Sequence, residues 1–151
     1  MRFFLSIFLL FPLIITAQIV GRAVGITDGD TFTLLKKDSI SIKVRLYGID
    51  CPEKGQPFSN ICKKYLSDLI FNKAVRLEEK GKDRYGRTIA IVFLGTININ
   101  ESLLADGIAW HYKYFDKNPR WAALEKSAKD NKKGLWKDDN AIPPWEWRKT
   151  N

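Results

Sequence analysis

The sequence predicts an α+β domain that is mainly β, a small closed sheet of five strands accompanied by three helices. Three observations point there. Short segments that alternate apolar and polar residues crowd the first hundred positions, separated by turns such as "DGD" and "KKD". Few residues separate the strands, so they pair mainly antiparallel, and closing so small a sheet removes exposed edges. The apolar residues shift to helical spacing in one block between strands and in two blocks after them.

Taken in order, "IVGRAVGIT" runs to the turn "DGD", and "TFTLL" then sets Phe32 and Leu34 on one face with Thr31, Thr33 and Leu35 on the other. In "SISIKVRLY", Ile40, Ile42, Val44 and Leu46 face the core while Ser41, Lys43, Arg45 and Tyr47 face away. Phe58, Cys62, Leu66, Leu69 and Ile70 predict a helix over about 57–70. "AVRLEEK" and "TIAIVFL" read as two strands joined by "GKDRYGR". A short helix over about 101–105 has Gly107 near its end. A longer one takes Asn118 as cap and Pro119 as its first residue, turns Trp121, Leu124 and Ala128 inward, and stops near Gly134. The tail from Lys137, "KDDNAIPPWEWRKT", reads as irregular.

The chain has 151 residues, of which 45% are apolar and 13% aromatic, enough for one core. Residues 18–137 contain no repeat, low-complexity tract or long linker, which predicts one compact unit followed by the tail 138–151. The first 17 residues read as a secretory signal peptide, with Arg2, an apolar run from Phe3 to Ile15 and the small Ala17. The alternative is an uncleaved anchor, but the run is short for a span and contains Pro12. A secreted or periplasmic location is therefore expected, with membrane association only if the leader is retained. Without the leader, 24 Lys and Arg face 17 Asp and Glu, a net charge of +7 that favours anionic partners. Cys51 and Cys62 can bridge in an oxidising compartment or stay as thiols.

Several chemistries are excluded. His111 is the only histidine, which rules out a two-imidazole mechanism, and its aromatic neighbours suit packing. Two cysteines and one histidine do not make a usual structural zinc site. No G-x-S-x-G, P-loop or G-x-G-x-x-G occurs. What remains is carboxylate and guanidinium chemistry. Asp28 and Asp30 flank Gly29, and Asp50 and Glu53 flank Cys51-Pro52; each pair alone is ordinary turn chemistry. If the strands carrying Asp30 and Asp50 lie side by side, however, their carboxylates converge and require a hard cation such as calcium. Arg45 and Arg87 can each donate two parallel hydrogen bonds to a phosphate, and Glu53 can orient or deprotonate water.

The blocks "ITDGDTFTL", "VRLYGIDCPE", "DRYGRTIAIV", "ESLLADGIAWHYKY" and "GLW", in that order over about residues 19–137, resemble the thermonuclease (staphylococcal nuclease) family. The resemblance implies an OB-fold barrel with three helices and a calcium-dependent endonuclease. Its substrates would be DNA and RNA, and its products 3'-phosphorylated. It also implies a role for each matching position. Asp30 and Asp50 would ligate calcium through carboxylates and Cys51 through its backbone carbonyl. Glu53 would be the general base or the organiser of water. Arg45 and Arg87 would bind the scissile phosphate, Arg84 and Tyr85 the neighbouring phosphate, and Tyr112 and Tyr114 would line the nucleotide pocket. No stable protein partner is implied, and a monomer is expected. The alternative is an inactive OB-fold module that binds nucleic acid.

Overall fold

The computed structural model describes residues 18–150, so the leader reading falls outside the described residues. The strands β1 (Ile19–Ile26), β2 (Thr31–Lys36), β3 (Ser41–Leu46) and the two-residue β4 (Ile49–Asp50) lead into α1 (Ser59–Ile70). Then come β5 (Ala74–Lys82), β6 (Thr88–Leu94), β7 (Ile97–Asn98), α2 (Ile99–Ala105), β8 (Trp110–His111) and α3 (Pro119–Asp130). A 3-10 turn (Gly134–Lys137) and α4 (Pro144–Thr150) follow.

The expected five-strand barrel forms. β1 pairs antiparallel with β2 and β5, β2 with β3, and β5 with β6. The parallel pairing of β3 with β6, which sets Val44 against Thr88 and Leu46 against Ala90, closes the ring. Closure leaves none of these five strands as a free edge. A bulge between Glu79 and Gly81, with φ of 127° at Gly81, lets β5 bend around the ring. Phe32, Leu34, Val44, Leu46, Leu77 and Val92 are buried inside, with Leu66 and Ile70 of α1 and Leu103 and Leu104 of α2 packed against them.

Three sequence expectations change. Ile40 is 51% exposed instead of facing the core, because the chain turns at Ser39 and Ile40 lies before the start of β3. The helix expected from residue 57 begins at Ser59, since Phe58 adopts a left-handed φ of 73° as its cap. The tail is not wholly irregular. Residues 144–150 form a fourth helix, begun by the buried Pro144 with Glu146 in the first turn and Arg148 and Lys149 in the last, an arrangement that suits the helix dipole. Among the described residues there are therefore four α-helices. Asn118 caps α3 and Pro119 begins it, as the sequence indicates.

Two features position the site. Gly48, with φ of 67°, breaks the strand after Tyr47, and β4 then leaves the barrel to pair with β8, setting Asp50 opposite Trp110. The buried Asn100 ties this corner to the barrel by accepting from the Val92 amide at 3.0 Å and donating to the Tyr47 carbonyl at 2.9 Å. Below, the ends of α2 and α3 meet at Gly107 and Gly134, both left-handed, and the Leu135 amide donates to the Gly107 carbonyl at 2.8 Å. A Cβ on Gly134 would collide with that carbonyl. Gly134→Ala should thus cost about 2–4 kcal/mol, read as a lower urea midpoint with an unchanged slope.

Candidate active site

Asp30 stands at the mouth of β2, in a turn braced by its own amide donating to Asp28 Oδ1 at 3.1 Å. The antiparallel register of β2 with β3 sets Arg45 opposite Thr31 and so beside Asp30. Asp50 reaches the same place from β4. Arg45 binds both carboxylates, with Nη1 donating to Asp30 Oδ1 at 2.8 Å and Nη2 to Asp50 Oδ1 at 2.7 Å. The Cys51 amide donates to Asp30 Oδ2 at 3.0 Å, and Thr31 Oγ1 lies 3.1 Å from Asp30 Oδ1. Three separate strands thus converge on one planar cation.

A second guanidinium enters from the tail. Arg148 of α4 donates through Nη2 to Asp50 Oδ2 at 2.8 Å and through Nη1 to Glu53 Oε1. Glu53 is held at its backbone, where its amide donates to Gln56 Oε1 at 2.9 Å; Gln56 Nε2 in turn donates to the Ile142 carbonyl at 2.7 Å. The sequence assigns Arg148 no role, because the tail that carries it reads as irregular. The available signal was the Pro-Pro pair followed by aromatic, acidic and basic residues at the spacing of one short helix.

The other expected residues form two further groups. Arg87 pairs through Nε with Asp83 Oδ2 at 2.6 Å, and the guanidinium carbons of Arg84 and Arg87 lie 4.8 and 5.5 Å from the centroid of the exposed Tyr85 ring. This cluster occupies the turn between β5 and β6, and β6 pairs with β3, the strand that carries Arg45. Tyr112 stacks on Trp145 of α4, with centroids 5.1 Å apart and rings within 3° of parallel, while Tyr114 beside it is 79% exposed. Trp110, Tyr112, Tyr114, Trp145 and Arg148 line a cleft of about 600 Å³. His111 is buried, facing Trp121 and Asp116, which makes it a packing residue. Cys51 and Cys62 are free buried thiols; the Cys62 thiol donates to the Ile108 carbonyl at 3.0 Å.

The electrostatics favour a hard cation. Asp28, Asp30, Asp50 and Glu53 outnumber Arg45 and Arg148, so the centre keeps an excess of negative charge. Burial pushes the Asp30 carboxyl up to about 6 against the pull of Arg45, and burial raises Asp50 as well. Among the described residues, no cluster of three or more His, Cys, Asp or Glu side chains is arranged to hold a metal ion. The oxygen donors at hand are the carboxylates of Asp30 and Asp50, with the backbone carbonyl of Cys51 next after Asp50 in sequence. An all-oxygen set of net negative charge fits calcium or a similar ion.

Fold and site together define an OB-fold protein whose rim carries acidic and guanidinium groups suited to a phosphate ester. The family model for staphylococcal nuclease homologues matches residues 43–138. A Haemophilus influenzae protein described as an uncharacterized endonuclease is 48% identical over 128 residues, covering 85% of this chain and 72% of that one. A micrococcal nuclease of Shigella flexneri is 38% identical over 146 residues, covering 89% and 83%. The chain belongs to the staphylococcal nuclease family.

Asp30 also gives the protein a pH signature. Its folded carboxyl titrates near 6 and its unfolded one near 3.8, so the folded state binds the proton more tightly. The stability this contributes is full below about 4 and is lost as the pH rises through about 6. Asp30→Asn removes that dependence. Its unfolding free energy relative to the unsubstituted chain should therefore improve by on the order of 3 kcal/mol between pH 4 and pH 7, measured in urea without divalent ions.

Proposed function

We propose that this chain is a secreted, calcium-dependent endonuclease that cleaves DNA and RNA to 3'-phosphorylated products, acting as a monomer. The coarser statement needs no proposal: the chain is a nuclease, a hydrolase of phosphodiester bonds. The observation that carries the finer reading is the single guanidinium of Arg45 spanning Asp30 and Asp50, with Glu53 joined to the same network. Secretion is supported by the leader-like composition of residues 1–17.

Asp30 and Asp50, with the Cys51 carbonyl, would hold calcium, which when bound supplies charge stabilisation at the phosphate. Glu53 is 38% exposed, so water can reach it, and its carboxylate can orient that water or take its proton. Arg45 sits against the acidic pair with a fork of donors, poised for the added negative charge as phosphorus becomes five-coordinate. Arg87 is the second candidate for that charge, and the β3 to β6 pairing brings its strand beside that of Arg45. Arg84 and Tyr85 would meet the neighbouring phosphate. Tyr112 and Tyr114 offer faces on which bases of any identity can stack, in keeping with a broad substrate range.

Digestion of single-stranded DNA with calcium and with a calcium chelator is the direct test. Cleavage should stop on chelation and return when calcium is restored; persistence without calcium would defeat the metal assignment. Glu53→Ala and Arg87→Ala should each lower kcat/KM by about 10²–10⁴-fold with the far-UV spectrum unchanged. Normal turnover in either variant would remove that residue from the mechanism.

A further inference from the structure

We propose that Arg148 is a third guanidinium for substrate phosphate, held on Asp50 and Glu53 until a divalent cation binds and then released to the nucleic acid. This rests on the nuclease reading above but adds a residue beyond the family-matched region, which ends at residue 138.

Placement comes first. α4 is anchored on three sides. Pro144 is buried, the Ile142 carbonyl accepts from Gln56, and Trp145 stacks flat on Tyr112. Trp145 and Arg148 are three residues apart and so share one face of the helix. The stack therefore fixes where the arginine stem begins. Its side chain is 40% exposed, so it can turn within the cleft without moving the helix.

Occupancy of the carboxylates comes next. Asp50 Oδ1 already accepts from Arg45, and Arg148 takes Oδ2 at 2.8 Å, with a longer contact to Oδ1 at 3.4 Å. Asp50 is 1% exposed in its side chain, so no water-facing oxygen is left over for an ion. A divalent cation that takes Asp50 must share or displace the Arg148 hydrogen bond, and like-charge repulsion favours displacement. The same guanidinium holds Glu53, so its departure also frees that carboxylate for water.

The destination follows from the tether. A guanidinium released from Asp50 stays within side-chain reach of the cation site, where a phosphate ester would lie. A planar fork of donors matches two phosphate oxygens, and phosphate is the anion present there once the carboxylates are taken. Lys149, Lys113 and Lys129 line the same cleft, giving it a cationic rim suited to a nucleic-acid strand.

The test uses the full chain, Arg148→Ala and Arg148→Lys, with circular dichroism confirming the fold. Calorimetric titration with calcium alone should give about tenfold tighter binding in Arg148→Ala, because the competing cation is gone. At saturating calcium, KM for single-stranded DNA should rise about tenfold in Arg148→Ala, with part of the loss recovered in Arg148→Lys. Unchanged or weaker calcium binding in Arg148→Ala overturns the proposal. So does tighter calcium binding with an unchanged or lower KM, which would make the tail a plug and nothing more. If the unsubstituted chain neither binds calcium nor cleaves, the nuclease reading itself has failed, and this inference falls with it. If it does both and only the Arg148 variants fail to respond, this inference alone is lost.

Discussion

One guanidinium organises this molecule's chemistry. Arg45 lies between two carboxylates that burial would otherwise force to protonate or separate, and it is positioned by the register of β2 against β3. Removing one member of a buried ion pair is costly because the other charge is left without a partner. The site is thus a compromise: like charges are brought closer than they would tolerate, and cations hold them there. Arg45 does so from within the barrel. Arg148 does so from the tail.

The barrel serves that compromise. Closure through β3 and β6 makes the positions of Asp30 and Arg45 consequences of strand register, which tolerates no slip without turning every side chain to the other face. Asp50 is different. It lies on a strand that leaves the barrel after Gly48, and pairing with β8 together with the Asn100 clamp determines where it points. The acidic pair is therefore half barrel and half helical subdomain.

This division explains what was legible in the sequence. Alternation along β2 and β3 revealed the core rows of Phe32, Leu34, Val44 and Leu46, and Asn118-Pro119 marked the start of α3, because those signals are local. The convergence of Asp30, Arg45 and Asp50 was expected only on condition that the strands were adjacent, and adjacency is a tertiary fact. Ile40 misled because alternation continues past the point where pairing begins. The tail misled more. "PPWEWRK" carries too few residues for a periodic signal, and its helix exists because Trp145 and Pro144 find a surface to cover. Arg148 was invisible for the same reason. The pairing of Arg87 with Asp83 likewise depends on a side-chain choice that no pattern encodes.

The distance along the chain between Asp50 and Arg148 has a consequence for how the enzyme comes into being. Contacts across 98 residues are late contacts, since the loop between them must be closed before they give any return. A ribosome that has released the barrel strands has still not released α4. Each newly made molecule therefore passes through a stage in which its acidic centre exists without Arg148, and maturation of the site is tied to the emergence of α4.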